Sequence, residues 1–123
     1  MEIIPAIDLM GGRCVRLSQG DYDRCCVYTG DPVDMAFCFE KAGVRRLHLV
    51  DLDGARRGKI VHLDLLRKIC SSTRLQVDFS GGIKTGEEVQ RILDAGARWV
   101  TIGSMAQTNP KEVRCWITKY GTD

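Results

Sequence analysis

Apolar and polar positions along the chain fall into alternating blocks. Four short apolar runs stand out, at Ile3–Ile7, Arg46–Val50, Leu75–Phe79 and Trp99–Ile102. Each is bounded by turn residues and lacks clean alternation, the pattern expected of strands buried on both faces in a parallel sheet. Helical patterns follow them. "DPVDMAFCFEKAG" offers Asp31 as an N-cap, Pro32 at the first helical position and a stop at Gly43. "HLDLLRKICSS" places Leu63, Leu66 and Ile69 on one side. "TGEEVQRILDAG" pairs Thr85 with Glu88 as a capping box and puts Val89, Ile92 and Leu93 on one face. "NPKEVRCWITKYG" repeats the Asn-Pro start and the Gly stop, with Val113, Trp116 and Ile117 facing in. The order is β-α, four times over. Connections this long are crossovers rather than hairpins, so the pattern predicts an α/β fold with a parallel sheet, in a single domain over residues 1–123. The longest irregular piece is "SQGDYDRCCVYTG"; just before it, "RCVRL" offers a short extra strand.

An internal echo supports repeated units. The first three strands run out as "DLMG", "DLDG" and "DFSG", each an Asp, an apolar residue, a variable residue and a Gly. Ligands of parallel α/β folds bind at the carboxyl ends of the strands. The echo therefore predicts Asp8, Asp51 and Asp78 around one mouth. For Asp8 the spacing leaves two readings open. One is a turn-capping acid, or a partner of Arg13 or Arg16. The other is a general base at the edge of a pocket. Asp51 and Asp53 form an acidic pair, but no further acidic ligand lies nearby to complete a divalent-metal site.

Two loops carry anion-binding features. "SGGIKTGEE" sets Gly81 and Gly82 between a strand and a capped helix, where backbone N–H groups come close to an anion. "IGSMAQTNP" sets Gly103 and Ser104 after the fourth strand. Neighbouring strands would let the two loops share one phosphate; tight turns alone would also explain the glycines.

Composition narrows the classes. Hydrophobic residues make up 44% and charged residues 28%, so a packed core is possible and disorder is not expected. A net charge of +2 with scattered Lys and Arg argues against nucleic acid. No apolar run reaches the length of a membrane span. The six cysteines show no CxxC spacing, and no leader precedes the first strand-like run. They are expected to be reduced thiols of a cytoplasmic protein. Cys38, Cys70 and Cys115, in helical segments, are expected to act as small core residues.

The segments "IIPAIDLMGGRCVRLSQGDY", "DP" opening a helix, "LHLVDLDGA", "GGIKT" and "GS", in that order, resemble a known barrel enzyme family. It is the phosphoribosylformimino-5-aminoimidazole carboxamide ribotide isomerase family of histidine biosynthesis. The related cyclase of that pathway usually has a cysteine in its first-strand "CLD" motif, where this chain has "AID". The resemblance implies a parallel (β/α)4 half of a TIM (β/α)8 barrel, matching the family's N-terminal half. It implies an Amadori rearrangement of an aminoaldose to an aminoketose, without metal or organic cofactor, on a phosphosugar substrate. The family's catalytic base matches Asp8. Its phosphate loops match Gly81, Gly82, Lys84, Gly103 and Ser104, and its mobile loop over the substrate matches Gln19, Gly20 and the residues to Tyr22. Two departures stand in the phosphate loop. Ser80 replaces the first of three glycines, and Lys84 replaces an arginine, losing the bidentate fork. Asp78 beside that loop is unfavourable for a dianion unless turned away or neutralised. The family's general acid and second phosphate site come from later strands. The chain is thus expected to need a second half-barrel, either a C-terminal half or a second copy of itself, and to be inactive alone. The alternatives are a non-catalytic phosphosugar-binding half-barrel, or dual activity on phosphoribosyl anthranilate. An unpartnered half would expose sheet edges at its first and fourth strands.

Overall fold

The computed structural model describes the backbone of residues 2–18, 21–27 and 31–121, and their side chains except those of 16–18, 21–27 and Ser104. Six strands form one sheet: β1 Ala6–Met10, β2 Arg13–Ser18, β3 Asp21–Val27, β4 Arg46–Asp51, β5 Gln76–Ser80 and β6 Trp99–Thr101. Their order is β3-β2-β1-β4-β5-β6. From β1 through β4 and β5 to β6 every pairing is parallel. The four predicted parallel strands are present and neighbour one another in chain order.

The helices are α1 Pro32–Lys41, α2 Leu52–Arg57, α3 Leu63–Ser72, α4 Gly86–Asp94, α5 Ser104–Thr108 and α6 Pro110–Tyr120. Their starts follow the local chemistry. The Asp31 carboxylate accepts from Val33 N at 2.9 Å ahead of Pro32. Thr85 and Glu88 form the full capping box of α4. Asn109 caps α6 by accepting from Glu112 N.

The strands depart from the expectation of burial on both faces. Along β4, Leu47, Leu49 and Asp51 are buried while Arg46, His48 and Val50 are half-buried. β1 and β5 alternate in the same way. One face carries Ile7, Leu9, Leu47, Leu49, Val77 and Phe79, which pack with Ala36, Leu66, Ile69 and Ile92 of the helices into the core. The opposite face, here the concave face, is covered by no helix among the described residues. The alternation was written in "RLHL", where Arg46 and His48 alternate with Leu47 and Leu49; Val50 and Asp51 then reverse the polarity without changing the phase.

Three further corrections concern the edges. β1 begins at Ala6, and Ile3 and Ile4 lie outside it, 73% and 49% exposed. The piece read as irregular holds β3, which pairs antiparallel with β2, and β2 pairs antiparallel with β1 at Asp8, Leu9 and Met10. The edge of β1 is therefore covered along its carboxyl-terminal part, whereas β6 ends the sheet on the other side. On α6, Trp116 is buried, but Ile117 is 47% exposed beside an apolar groove shared with Val100, Ile102 and Val113.

The helical cysteines also differ from expectation. Cys38 and Cys115 are exposed, Cys70 is half-buried, and all three are free thiols. Burial pushes the Cys70 thiol up to about 11. Only the thiolate reacts, so Cys70 is expected to resist alkylation. Iodoacetamide at pH 8, read by peptide mass mapping of the native protein, should label Cys38 and Cys115 well before Cys70. Equal labelling would contradict this placement.

Candidate active site

The ladders of the parallel strands set the side chains of the concave face in rows. One row is Asp8, Val50, Ser80 and Thr101; the row before it, toward the strands' amino ends, is Ala6, His48, Asp78 and Trp99. Asp8 thus lies in the middle of β1, inside the sheet, and not past the strand's end. Its carboxyl is half-buried. Burial pushes its pKa above the ordinary carboxylate value, and the charge of His48 offsets part of that rise.

The row of Asp8 leads into a cleft of about 420 Å³ at the carboxyl ends of β4, β5 and β6. Val50, Ser80 and Thr101 form its floor, and Gly81, Gly82, Lys84 and Gly103 its rim. Ser104 opens α5 directly after Gly103, whose side of the helix has no side-chain cap. Asp8 stands two strands from Ser80, roughly 10 Å at the usual strand spacing. Gln19 and Gly20 lie outside the described residues.

The loop glycines have a packing reason of their own. Gly81 and Gly82 adopt φ of 117° and 76°. A Cβ at Gly81 would run into the Asp51 carbonyl, and one at Gly82 into the carbonyls of Gly54 and Lys59. The loop after β5 therefore lies against the backbone after β4, and this close approach holds the rim of the cleft in place.

The three aspartates of the echo do not share a mouth. Asp51 points to the helix side and is fully buried. Its Oδ1 accepts from Gly54 N at 2.8 Å, and its Oδ2 accepts from Val61 N and His62 N, each at 2.7 Å. It caps α2 and pins the segment leading to α3. Asp78 faces the concave side in the row before Asp8 and is occupied by His48 and Thr101. That answers the objection to a carboxylate near a phosphate loop, because Asp78 is turned to these partners.

Sequence reasoning missed both histidines. His48 sits opposite Asp78, with Nδ1 2.9 Å from Asp78 Oδ2. His62 Nε2 lies 2.7 Å from Asp53 Oδ2, which also accepts from Gly11 N at 2.7 Å. Burial alone would raise Asp53, but the Gly11 N–H, the His62 hydrogen bond and charge, and the Arg57 charge outweigh it and hold the carboxyl low. One ligand atom each of Asp51, Asp53 and His62 lies within 4.8 Å of the others. Both oxygens of Asp51 are already engaged by backbone N–H groups, so this cluster works as a hydrogen-bonded brace between the β1–β2 turn and the β4–α3 connection. The period-two alternation of "RLHL" was the available signal for His48; nothing local marked His62.

A family model described as histidine biosynthesis protein matches residues 2–123. The chain belongs to this histidine biosynthesis family. Curated relatives agree. The chain is 49% identical over its full length to 51% of a Cytophaga hutchinsonii protein named 1-(5-phosphoribosyl)-5-((5-phosphoribosylamino)methylideneamino)imidazole-4-carboxamide isomerase. It is 47% identical over its full length to 52% of the Parabacteroides distasonis protein of that name. A Dehalococcoides mccartyi protein of that name is 48% identical over 120 residues. The chain spans about half the length of these histidine biosynthesis relatives. No helix among the described residues is long and apolar enough to cross a membrane.

Proposed function

We propose that this chain is the (β/α)4 amino-terminal half of a (β/α)8 barrel that isomerises a phosphoribosylated aminoaldose to the aminoketose in histidine biosynthesis. The observation that carries the reading is the row from Asp8 to the glycine-rimmed cleft. A partly desolvated carboxyl lies on the same face as an opening with room for a phosphate and part of a sugar, bordered by glycines and Lys84. With the substrate phosphate held by backbone N–H groups of Gly81, Gly82, Gly103 and Ser104 and by Lys84, the ribose would extend along the sheet toward Asp8. Ring opening by an acid gives the Schiff base. Asp8 then takes the C2 proton, the electrons of that C–H bond move toward the iminium nitrogen, and the enol tautomerises to the ketose. The acid would come from a second half. Gln19 and Gly20 belong to the segment that would cover the substrate.

The surface supports the need for that second half. Among the described residues no layer covers the concave face and β6 has no outer partner, and exposed isoleucines lie near the two outer parallel strands: Ile3 and Ile4 before β1, Ile117 near β6. A carboxyl-terminal half of the kind the longer relatives contain fits this surface better than a second copy, since it would also bring the acid.

The test joins this chain to the carboxyl-terminal half of the Cytophaga hutchinsonii relative and follows isomerisation beside the chain alone. Turnover is expected from the joined protein and none from the chain alone, with light scattering showing association of the isolated chain. A folded joined protein without turnover, or a 13.7 kDa chain that stays monomeric at every concentration, would count against the reading.

A further inference from the structure

The concave face holds a hydrogen-bonded series that the phosphate cleft does not use. Thr101 Oγ1 donates to Asp78 Oδ1 at 2.6 Å, and Asp78 Oδ2 pairs with His48 Nδ1 at 2.9 Å. A carboxylate only accepts, so the proton of this bond sits on Nδ1. Neutral His48 is then held as the Nδ1–H tautomer, with Nε2 as its acceptor nitrogen. On the neighbouring strand Ala6 is opposite His48 and Asp8 is opposite Val50, which makes Asp8 the diagonal neighbour of His48 on the same face.

We propose that His48, fixed in one tautomer by Asp78 and Thr101, is a positioning residue that sets the protonation of Asp8. The proposal rests on the reading of Asp8 as the base. A partly buried carboxyl holds its proton too long to serve as a base in mildly acidic solution. A histidine whose Nδ1 is anchored to Asp78 keeps its ring, and its charge when protonated, beside Asp8 and favours the carboxylate. The other charged groups toward this face, among the described residues, are Arg13, which β2 sets opposite Met10 and so diagonal to Asp8, Lys84 at the rim of the cleft, Arg46 and Arg98. Arg46 lies two residues before His48, is tied to Glu2 at 3.4 Å and stacks over Trp99. Arg98 stacks on the same ring. Beyond Asp78, β5 places Gln76 and Ser80 on this face, and β6 places Trp99 and Thr101, none of which titrates near neutral pH. His48 is therefore the imidazole that the ladder sets diagonally beside Asp8 on this face.

The test uses the full 123-residue chain, labelled with 15N and 13C. Long-range 1H–15N spectra in alkaline solution, where imidazole is neutral, should show the Nδ1–H tautomer, and Asp78→Asn should release it toward Nε2–H. The Asp8 carboxyl 13C titration should shift to higher pH in His48→Gln. Wild-type His48 found as Nε2–H would overturn the proposal, and so would an unmoved Asp8 midpoint in a His48→Gln chain with a native amide spectrum. If His48→Gln loses that spectrum, the wild-type tautomer and the Asp78→Asn response decide alone. None of these readouts needs turnover, so they separate from failure of the isomerase reading, which would show as activity that survives without Asp8.

Discussion

Asp8→Asn in the completed barrel is expected to lower kcat by about 100- to 10 000-fold, the range that positioned acid–base groups supply, with substrate affinity retained. The amide keeps the shape and half-buried position of the carboxyl but cannot take a proton. The proposed phosphate contacts lie in the loops after β5 and β6, so binding has no reason to fall. Kinetics together with direct binding of substrate would check both halves of this. Turnover near wild type would remove Asp8 from the role of base.

The same substitution has an opposite effect on stability. Burial raises the Asp8 pKa in the folded chain. The folded state therefore binds the Asp8 proton more tightly than the unfolded chain. Its contribution to stability is complete at pH below the unfolded value and is lost as pH rises through the folded value. At neutral pH the carboxylate is a net cost. Asp8→Asn should raise the urea midpoint of the chain at pH 7 and leave it nearly unchanged at pH 3. A substitution that stabilises the fold and removes the chemistry would mark Asp8 as a functional residue that the fold tolerates.

Asp51→Ala is expected to do the reverse, costing the fold about 3–5 kcal/mol, the range for stripping a buried charge of its role among partners. Three backbone N–H groups, of Gly54, Val61 and His62, point at this one carboxylate. Alanine would leave all three without that acceptor, the Gly54 N–H in a buried place and those of Val61 and His62 in half-buried ones. It would also free the backbone against which Gly81 and Gly82 lie, so the rim of the cleft should loosen along with the fold. Urea denaturation and amide exchange at residues 54–62 would show it. A loss under about 1 kcal/mol would mean that water or a rearranged loop replaces the carboxylate.

The contrast between Asp8 and Asp51 shows how far the sequence could be read. Caps and helix faces were legible because their signals are local: Thr85 and Glu88 are three residues apart, and Leu63, Leu66 and Ile69 share a face of any helix drawn through them. α2 was not seen, because "LDGARR" is short and carries a glycine inside it. β3 was not seen, because "DYDRCCV" lacks an apolar alternation. Strand phase was the harder problem. Ending the first strand at Ile7 instead of Met10 put Asp8 past the strand's end, when it stands within the sheet. Side chains alternate along a strand, so one residue of offset between strands moves an acid from one face to the other. In the echo Asp8 and Asp51 occupy matching letters, yet the ladder pairs Leu9 with Asp51, and that single step separates the proposed base on the concave face from a brace under the helices. The Asp53–His62 contact was illegible for another reason: a long connection brings it together, and no local pattern marks it.

The polar character of the concave face also bears on assembly. Covering this face with another half would remove His48, Asp78 and Thr101 from water. Polar groups stripped of solvent without partners oppose association, whereas groups that already satisfy one another do not. Here they are joined to each other within a single half. The surface therefore resists the indiscriminate sticking of a bare apolar sheet, and a specific partner can cover it without breaking these bonds.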